Sequence, residues 1–399
     1  MEYCSFCKKS DKEVKSLVGS EDKKSLICNE CVEDVLNLMK EENNEAVSQI
    51  VSKKLKHSPK DIFNHLEEYI VAQTDAKKSI AVAVYNHYKR IDNPILNGVE
   101  LSKSNILLMG PTGSGKTLLG QTVARMLDVP FIIADATTLT QAGYVGDDVE
   151  TILQRLINAA DGDIEKAQRG IIFIDEIDKI AKRDSGTSIT RDVSGEGVQQ
   201  SLLKIIEGTL ARIPQQGTRK HPNANVDVID TKNILFICGG AFVGLDKIVE
   251  KRLSPTASIG FTKMIDNKSE LEQKLFQKII PEDLVQFGFI PEFVGRVPVI
   301  CSLKELEFDD LKKIMFEPKN SVLKQFEEIF KSEGANLVIE DSALNQIVSL
   351  ALKNKTGARG LRSVLEEILM DIMFDLPCSD IKEVILDDIY TPVKTKRVA

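Results

Sequence analysis

Two short stretches carry residue types that could do chemistry together. The first is Gly110-Pro111-Thr112-Gly113-Ser114-Gly115-Lys116-Thr117, followed by Leu118. Its glycines let successive backbone N–H groups curl around phosphate oxygens at the positive end of a helix. Lys116 then reaches β- and γ-phosphates, and the Thr117 hydroxyl is placed to hold Mg²⁺. The second is Ile171-Ile172-Phe173-Ile174-Asp175-Glu176-Ile177-Asp178, an apolar run ending in acids. Asp175 suits Mg²⁺ held through water, and Glu176 suits polarisation of an attacking water. The chemistry these imply is hydrolysis of a nucleoside triphosphate.

A third group is built from thiols. Cys4 and Cys7 are separated by two residues, as are Cys28 and Cys31, with twenty residues between the pairs. Two intervening residues put both sulfurs on one side of a tight turn, and two such turns close a tetrahedral zinc site. No open ligand position and no nearby His remain, so the site reads as structural. A module of this size sits near the limit below which a core alone seldom folds. Zinc binding worth roughly 10–16 kcal/mol is enough to decide the matter.

These residues need elements to position them. Ile106–Met109 reads as a buried strand, and Leu118, Leu119, Val123, Met126 and Leu127 continue the glycine loop as a helix. Phe131–Ala134 reads as the next strand. Ile171–Ile174 reads as a parallel, fully buried strand that brings its acids to the C-terminal end, where open α/β sheets bind ligands. Asp178 and Lys179 are expected to be solvated. Asn233–Gly240 is a further buried strand, with Cys238 in the core; Cys301 is expected there too. Ile70 and Val71 precede a helix whose apolar residues recur from Ile80 to Tyr88; a base-contacting segment and a plain amphipathic helix start both fit. Beyond Leu306 the pattern is mainly helical, with a short strand at Leu337–Ile339. The last helix, from Thr356 to Leu376, has Arg359 at its start. A closing strand at Val384–Leu386 and a frayed basic tail end the chain. The expected domains are 1–45 (zinc-binding), 46–60 (linker), 61–305 (nucleotide-binding) and 306–399 (lid).

The 399 residues carry 52 Lys plus Arg against 60 Asp plus Glu, a net charge of −8. That balance argues against a nucleic-acid surface, which wants a basic field. No apolar run approaches a bilayer span, and the N-terminus has neither a signal-peptide core nor a transit-peptide composition. A cytoplasmic chain with no membrane partner is expected, and seven cysteines, an odd number, suit reduced thiols and metal rather than disulfides.

Four polar or loop-like segments carry unusual groups. Tyr144 and Val145 stand between Gly143 and Gly146: an apolar grip on a passing chain, or a turn whose tyrosine caps the core. Arg219-Lys220-His221 is a basic cluster in an acidic chain, suited to an anionic group or simply solvated. Ile259-Gly260-Phe261 lies in a polar loop and suits a partner's cleft or the parent domain's own surface. Arg296, between a helical turn and a strand, projects at an edge.

Taken in order, the cysteine module, GPTGSGKT, GYVG, IIFIDEID, RKH, IGF, PEFVGR and TGARGLR resemble the ClpX family of AAA+ protein unfoldases, over nearly the whole chain. The resemblance implies an α/β AAA+ core (a parallel sheet flanked by helices), a mainly helical C-terminal lid and a small treble-clef-like N-terminal zinc domain. It implies ATP, Mg²⁺ and Zn²⁺ as ligands and a homo-hexamer. The implied partners are ClpP-type peptidase rings, with tagged or unfolded proteins and adaptors engaged through the zinc domain. By residue, it makes Tyr144 and Val145 a pore loop, with Arg191 in a second pore element. Arg219, Lys220 and His221 ring the entrance, and Ile259, Gly260 and Phe261 dock the peptidase. It makes Arg296 a finger acting on a neighbour's ATP, Arg359 a lid arginine sensing γ-phosphate, and Ile70 and Val71 contacts to adenine. Members of this group often place Asn or Thr where Cys238 and its following glycines stand, so no residue is assigned to orient water. Ala72 and Lys8 stand where Gly is expected. A nucleic-acid motor on the same core, a non-catalytic zinc scaffold and the HslU relatives, which lack the cysteine module, fit the chain less well.

Overall fold

The computed structural model describes residues 3–10, 14–19, 26–32, 57–93, 95–96, 99–139, 149–181, 195–214, 226–253, 275–276, 278–354, 356–389 and 394–397. The chain divides into two compact units, Met1–Lys56 and His57–Ala399. The first holds an antiparallel pair, β1 (Leu17–Gly19) and β2 (Leu26–Cys28), with Leu17 opposite Cys28. Asn29 Oδ1 accepts from the backbone N–H groups of Lys15 and Ser16, which fixes the strand entry.

The second unit opens with helix α1 (Pro59–Tyr69). Ser58 caps it reciprocally with Asp61, and Pro59 takes the first turn, where its missing N–H costs nothing. A short turn at Ile70–Gln73 leads into α2 (Thr74–Asp92). A small hairpin, β3 (Ile95–Leu96) and β4 (Val99–Glu100), precedes the first core strand. The core then runs β5 (Ile106–Met109), α3 (Lys116–Leu127), β6 (Phe131–Asp135), α4 (Val149–Ala159), α5 (Ile164–Gln168), β7 (Ile171–Asp175) and α6 (Glu196–Glu207). A hairpin, β8 (Leu210–Pro214) and β9 (Val226–Asp230), follows. β10 (Leu235–Gly240), α7 (Leu245–Leu253), α8 (Pro281–Phe287), α9 (Pro291–Arg296) and β11 (Val299–Ser302) complete it.

The five core strands pair in the order β11-β5-β10-β7-β6, all parallel. Every residue of β5 and β10 is buried, the pattern expected of strands covered on both faces. β10 sits between β5 and β7, so the C-terminal ends of all three open on one crevice. At about 1.5–3 kcal/mol for each buried aliphatic or aromatic side chain, rows such as Ile171–Ile174 hold the acid-bearing strand rigidly in place.

The lid comprises α10 (Phe308–Phe316), α11 (Val322–Ser332), β12 (Asn336–Ile339), α12 (Asp341–Lys353), α13 (Ala358–Asp375), β13 (Ile381–Leu386) and β14 (Lys394–Arg397). It has a hydrophobic core of its own, centred on Leu311, Phe330, Ile347, Leu361 and Leu365. The expectation of a frayed basic tail is corrected here. Lys394–Arg397 pairs antiparallel with β13, whose other edge is taken by β12, so the open edge of a buried strand supplies the tail's hydrogen-bond partners. Among the described residues no helix is long and apolar enough to cross a membrane.

Candidate functional site

The glycine loop lies at the C-terminal end of β5 and leads straight into α3. Gly115 takes φ 98° and caps that helix with no side-chain partner, leaving the first N–H groups of α3 open to an anion. The Ser114 hydroxyl is buried with no hydrogen-bond partner, a donor placed for a phosphate oxygen. Lys116 Nζ donates to the carbonyls of Gly110 (2.7 Å) and Pro111 (2.8 Å), folded back on its own loop. Burial holds this ammonium below its usual range, with Arg359 adding repulsion, while Asp175 and Asp178 pull it up. An anionic phosphate would reverse the burial cost.

Across the crevice, Thr117 Oγ1 donates to Asp175 Oδ2 at 3.3 Å, so the two candidate Mg²⁺ ligands already face each other. Asp175 Oδ1 accepts from the Glu176 N–H at 3.0 Å. Glu176 itself is exposed and left-handed, with φ 54°. A non-glycine residue held in that conformation at a strand end is strain of the kind functional sites retain. Asp178 is not solvated as expected. It is buried, and its Oδ1 accepts from the Ala241 N–H at 3.1 Å. The tertiary approach of the chain leaving β10 buries it and ties that chain to the end of β7. A Cβ on Gly239 would come within 2.7 Å of Phe173, and one on Gly240 within 2.7 Å of Asp178, so a side chain at the end of β10 would have to displace one of them. Cys238 is fully buried, and burial pushes its thiol up to about 12. Cys301 is also in the core.

The lid reaches this loop through bare backbone. A Cβ on Gly113 would come within 3.0 Å of Gly357 Cα, and one on Gly357 within 3.1 Å of Gly113 Cα. That contact sets the start of α13, and with it exposed Arg359, beside the phosphate loop. Ile70 is buried and Val71 half-buried; both line a groove with Lys313, Glu317, Pro318 and Lys319 of the lid. Fully buried Lys77 fixes that turn, its Nζ donating to the Ile70 carbonyl at 2.5 Å and to Glu67 Oε1 at 2.9 Å. Gln73, Lys77 and Asp178 escape a reading of motifs. For Gln73 the signal available was its position directly after Ile70-Val71-Ala72.

Arg296 is not brought to this loop. β11 runs parallel to β5 with Val299 opposite Ile106, so Arg296, which precedes Val299, lies beyond the end of the sheet away from the crevice. Its backbone carbonyl accepts from buried Asn105 at 2.8 Å, and its side chain, 56% exposed, pairs with Glu207 at 2.9 Å. Tyr144, Val145, Arg191, Arg219, Lys220, His221, Ile259, Gly260 and Phe261 lie outside the described residues.

In the first unit the sulfurs of Cys4, Cys7, Cys28 and Cys31 all lie within 4.8 Å of one another. The Cys28 N–H points at Cys4 Sγ (3.3 Å) and the Cys31 N–H at Cys28 Sγ (3.5 Å), bonds that favour thiolates. Desolvation raises the Cys4 thiol, but N–H groups of Cys7, Phe6 and Cys28 bring it to about 6. Desolvation and the sulfurs of Cys7, Cys28 and Cys4 push Cys31 up to about 12. A dication removes that conflict, and four thiolates are the donor set zinc prefers.

Comparison with known proteins agrees with this geometry. A family model described as "AAA domain (Cdc48 subfamily)" matches residues 101–300, "ClpX C4-type zinc finger" matches 2–41, and "C-terminal, D2-small domain, of ClpB protein" matches 306–385. Two relatives, from Borrelia duttonii (strain Ly) and Borrelia recurrentis (strain A1), are each described as "ATP-dependent Clp protease ATP-binding subunit ClpX". Each is 53% identical over 389 residues, covering 97% of this chain and 90% of the relative. With a zinc-finger cluster of four cysteines, an AAA nucleotide core and a relative this close along nearly its whole length, the chain belongs to the ClpX family.

Proposed function

We propose that this chain is an ATP-driven unfoldase and translocase: it hydrolyses ATP, unfolds tagged proteins through a central pore and feeds them to a ClpP-type peptidase. It also acts as a chaperone without that peptidase. The observation that carries the reading is the meeting of Lys116, Thr117 and Asp175 at the crevice directly under the start of the lid helix. Residues 1–45 form the zinc domain, 46–60 a linker, 61–305 the large domain and 306–399 the lid, working as a cytoplasmic homo-hexamer.

Pro111 to Leu118 wrap the phosphates through backbone N–H groups, the Ser114 hydroxyl adds a donor, and Lys116 exchanges its carbonyl partners for phosphate oxygens. Mg²⁺, when bound, neutralises charge on the phosphates; Thr117 and Asp175 would hold it. Glu176 orients the attacking water and takes up its proton. Arg359 approaches from the lid, and Ile70 and Val71 line the base pocket. Arg296 faces away from its own crevice, which supports action on a neighbour's ATP. Such an arginine is worth ~10³–10⁵ in rate, so hydrolysis requires the ring. Tyr144, Val145 and Arg191 grip the threaded chain, Arg219, Lys220 and His221 attract a tag's carboxylate, and Ile259, Gly260 and Phe261 dock the peptidase.

The test is Glu176→Gln. It is expected to bind ATP with parental affinity and assemble, but to turn over ATP at least about 100-fold more slowly, the scale of a lost general base. Turnover near the parental rate would reject the assignment.

A further inference from the structure

Gln73 is buried in a left-handed turn and none of the chemistry above uses it, yet its amide makes hydrogen bonds to both the lid junction and the phosphate loop. Its Oε1 accepts from the Lys304 N–H at 2.8 Å, and its Nε2 donates back to the Lys304 carbonyl at 2.9 Å. The same Nε2 lies 3.4 Å from the carbonyl of Ser114, inside the phosphate loop. The neighbouring residue is fixed as well: the Leu303 N–H donates to the Met109 carbonyl at 2.7 Å, and Gly110 is packed against it. The chain leaving β11 is therefore stapled to the large domain through Lys304. Leu306 already belongs to the lid core. Between them stands only exposed Glu305, which narrows any lid pivot to a single residue.

We propose that Gln73 is the positioning residue that couples occupancy of the phosphate loop to the lid pivot, a role that rests on the ATPase reading above. The Ser114 carbonyl and the Gly115 N–H belong to one rigid peptide plane. Turning that N–H toward a phosphate moves the carbonyl that Gln73 Nε2 faces across a long hydrogen bond. The same amide holds both backbone groups of Lys304, so a tilt of the loop is passed to the residue before the pivot. Gln73 touches no reacting atom in this scheme.

The test uses the full-length chain with Gln73→Met, which keeps length but removes the amide, and Gln73→Glu, which keeps an acceptor for the Lys304 N–H and loses the donor to the Ser114 and Lys304 carbonyls. ADP affinity, kcat and KM for ATP, and hydrogen exchange over residues 303–307 with and without ADP are measured. Gln73→Met is expected to bind ADP within about threefold of the parent and to lose about tenfold in kcat at nearly unchanged KM, the size of one or two buried hydrogen bonds. It should also exchange fast at Lys304 whether or not ADP is present. Gln73→Glu is expected to protect Lys304 but lose the response to ADP. Parental kcat and a parental ADP response in Gln73→Met would overturn the proposal. So would equal losses of ADP affinity and turnover in both variants, which is the mark of a purely structural residue. If the unaltered chain neither binds ADP nor turns over ATP, the ATPase reading itself falls and takes the proposal with it.

Discussion

Ala72 and Lys8 stand where the family resemblance leads one to expect glycine, and both are left-handed, with φ 57° and 64°. Glycine enters that region freely, whereas a residue with a Cβ loses about 1 kcal/mol or more there. Ala72→Gly is therefore expected to raise unfolding free energy by about 0.5 kcal/mol, once the larger freedom of glycine in the unfolded chain is subtracted. Ala72→Val, β-branched, is expected to lower it by roughly 1–2 kcal/mol. Chemical denaturation compares the three chains, and a Val variant as stable as the Gly variant would deny the left-handed turn. This is also where the sequence was hardest to read. A glycine at 72 would have announced a turn, and alanine conceals it. Asp178 is hard to read for a related reason, since an acid beside Lys179 looks solvated until the chain after β10 folds over it. Thr117 and Asp175, by contrast, sit on elements with unmistakable apolar runs, although the hydrogen bond between them joins positions 58 apart.

At the scale of elements, the strands that carry chemistry were readable because each is a short continuous apolar run on a fully covered sheet. The β8–β9 hairpin was not. Its register sets Leu210, Arg212 and Pro214 opposite Asp230, Val228 and Val226, a mixed face with exposed Leu210 and Val228 that offers no clean alternation. β14 was hidden because a basic tail becomes a strand only when β13 offers it an edge. The cysteine spacing was legible because two paired two-residue knuckles suit a four-thiolate site, and the four sulfurs do lie within 4.8 Å of one another. Here the expected outcome concerns metal. Cobalt substituted into the first unit should give the intense visible absorption of tetrahedral thiolate ligation, and Cys28→Ser should lose bound metal and expose β1 and β2 to hydrogen exchange. A full metal load in Cys28→Ser would contradict the four-sulfur site.

Across the whole molecule, Arg296 stands at the far end of the sheet and Arg359 beside the phosphate loop, a separation that fits the proposal that they serve ATP on two different subunits. The lid has its own core, is joined through exposed Glu305, rests on the phosphate loop by a glycine–glycine contact and is tied to α1 through Lys319 and Glu68, a layout that fits the proposed change of angle with nucleotide. The order of motifs made this layout legible before any coordinate, whereas the bond from Gln73 to Lys304, 231 residues away, could only be seen in three dimensions. In the proposed function, the layout converts ATP turnover into a pull on a threaded chain. The direct measurement is ATP-dependent loss of fluorescence from a tagged, folded reporter by the parent chain and by Tyr144→Ala, with ATP turnover recorded in parallel. The expected result is turnover within a few-fold of the parent and reporter unfolding slowed at least about tenfold, while dismantling of the reporter at full speed by Tyr144→Ala would contradict the account.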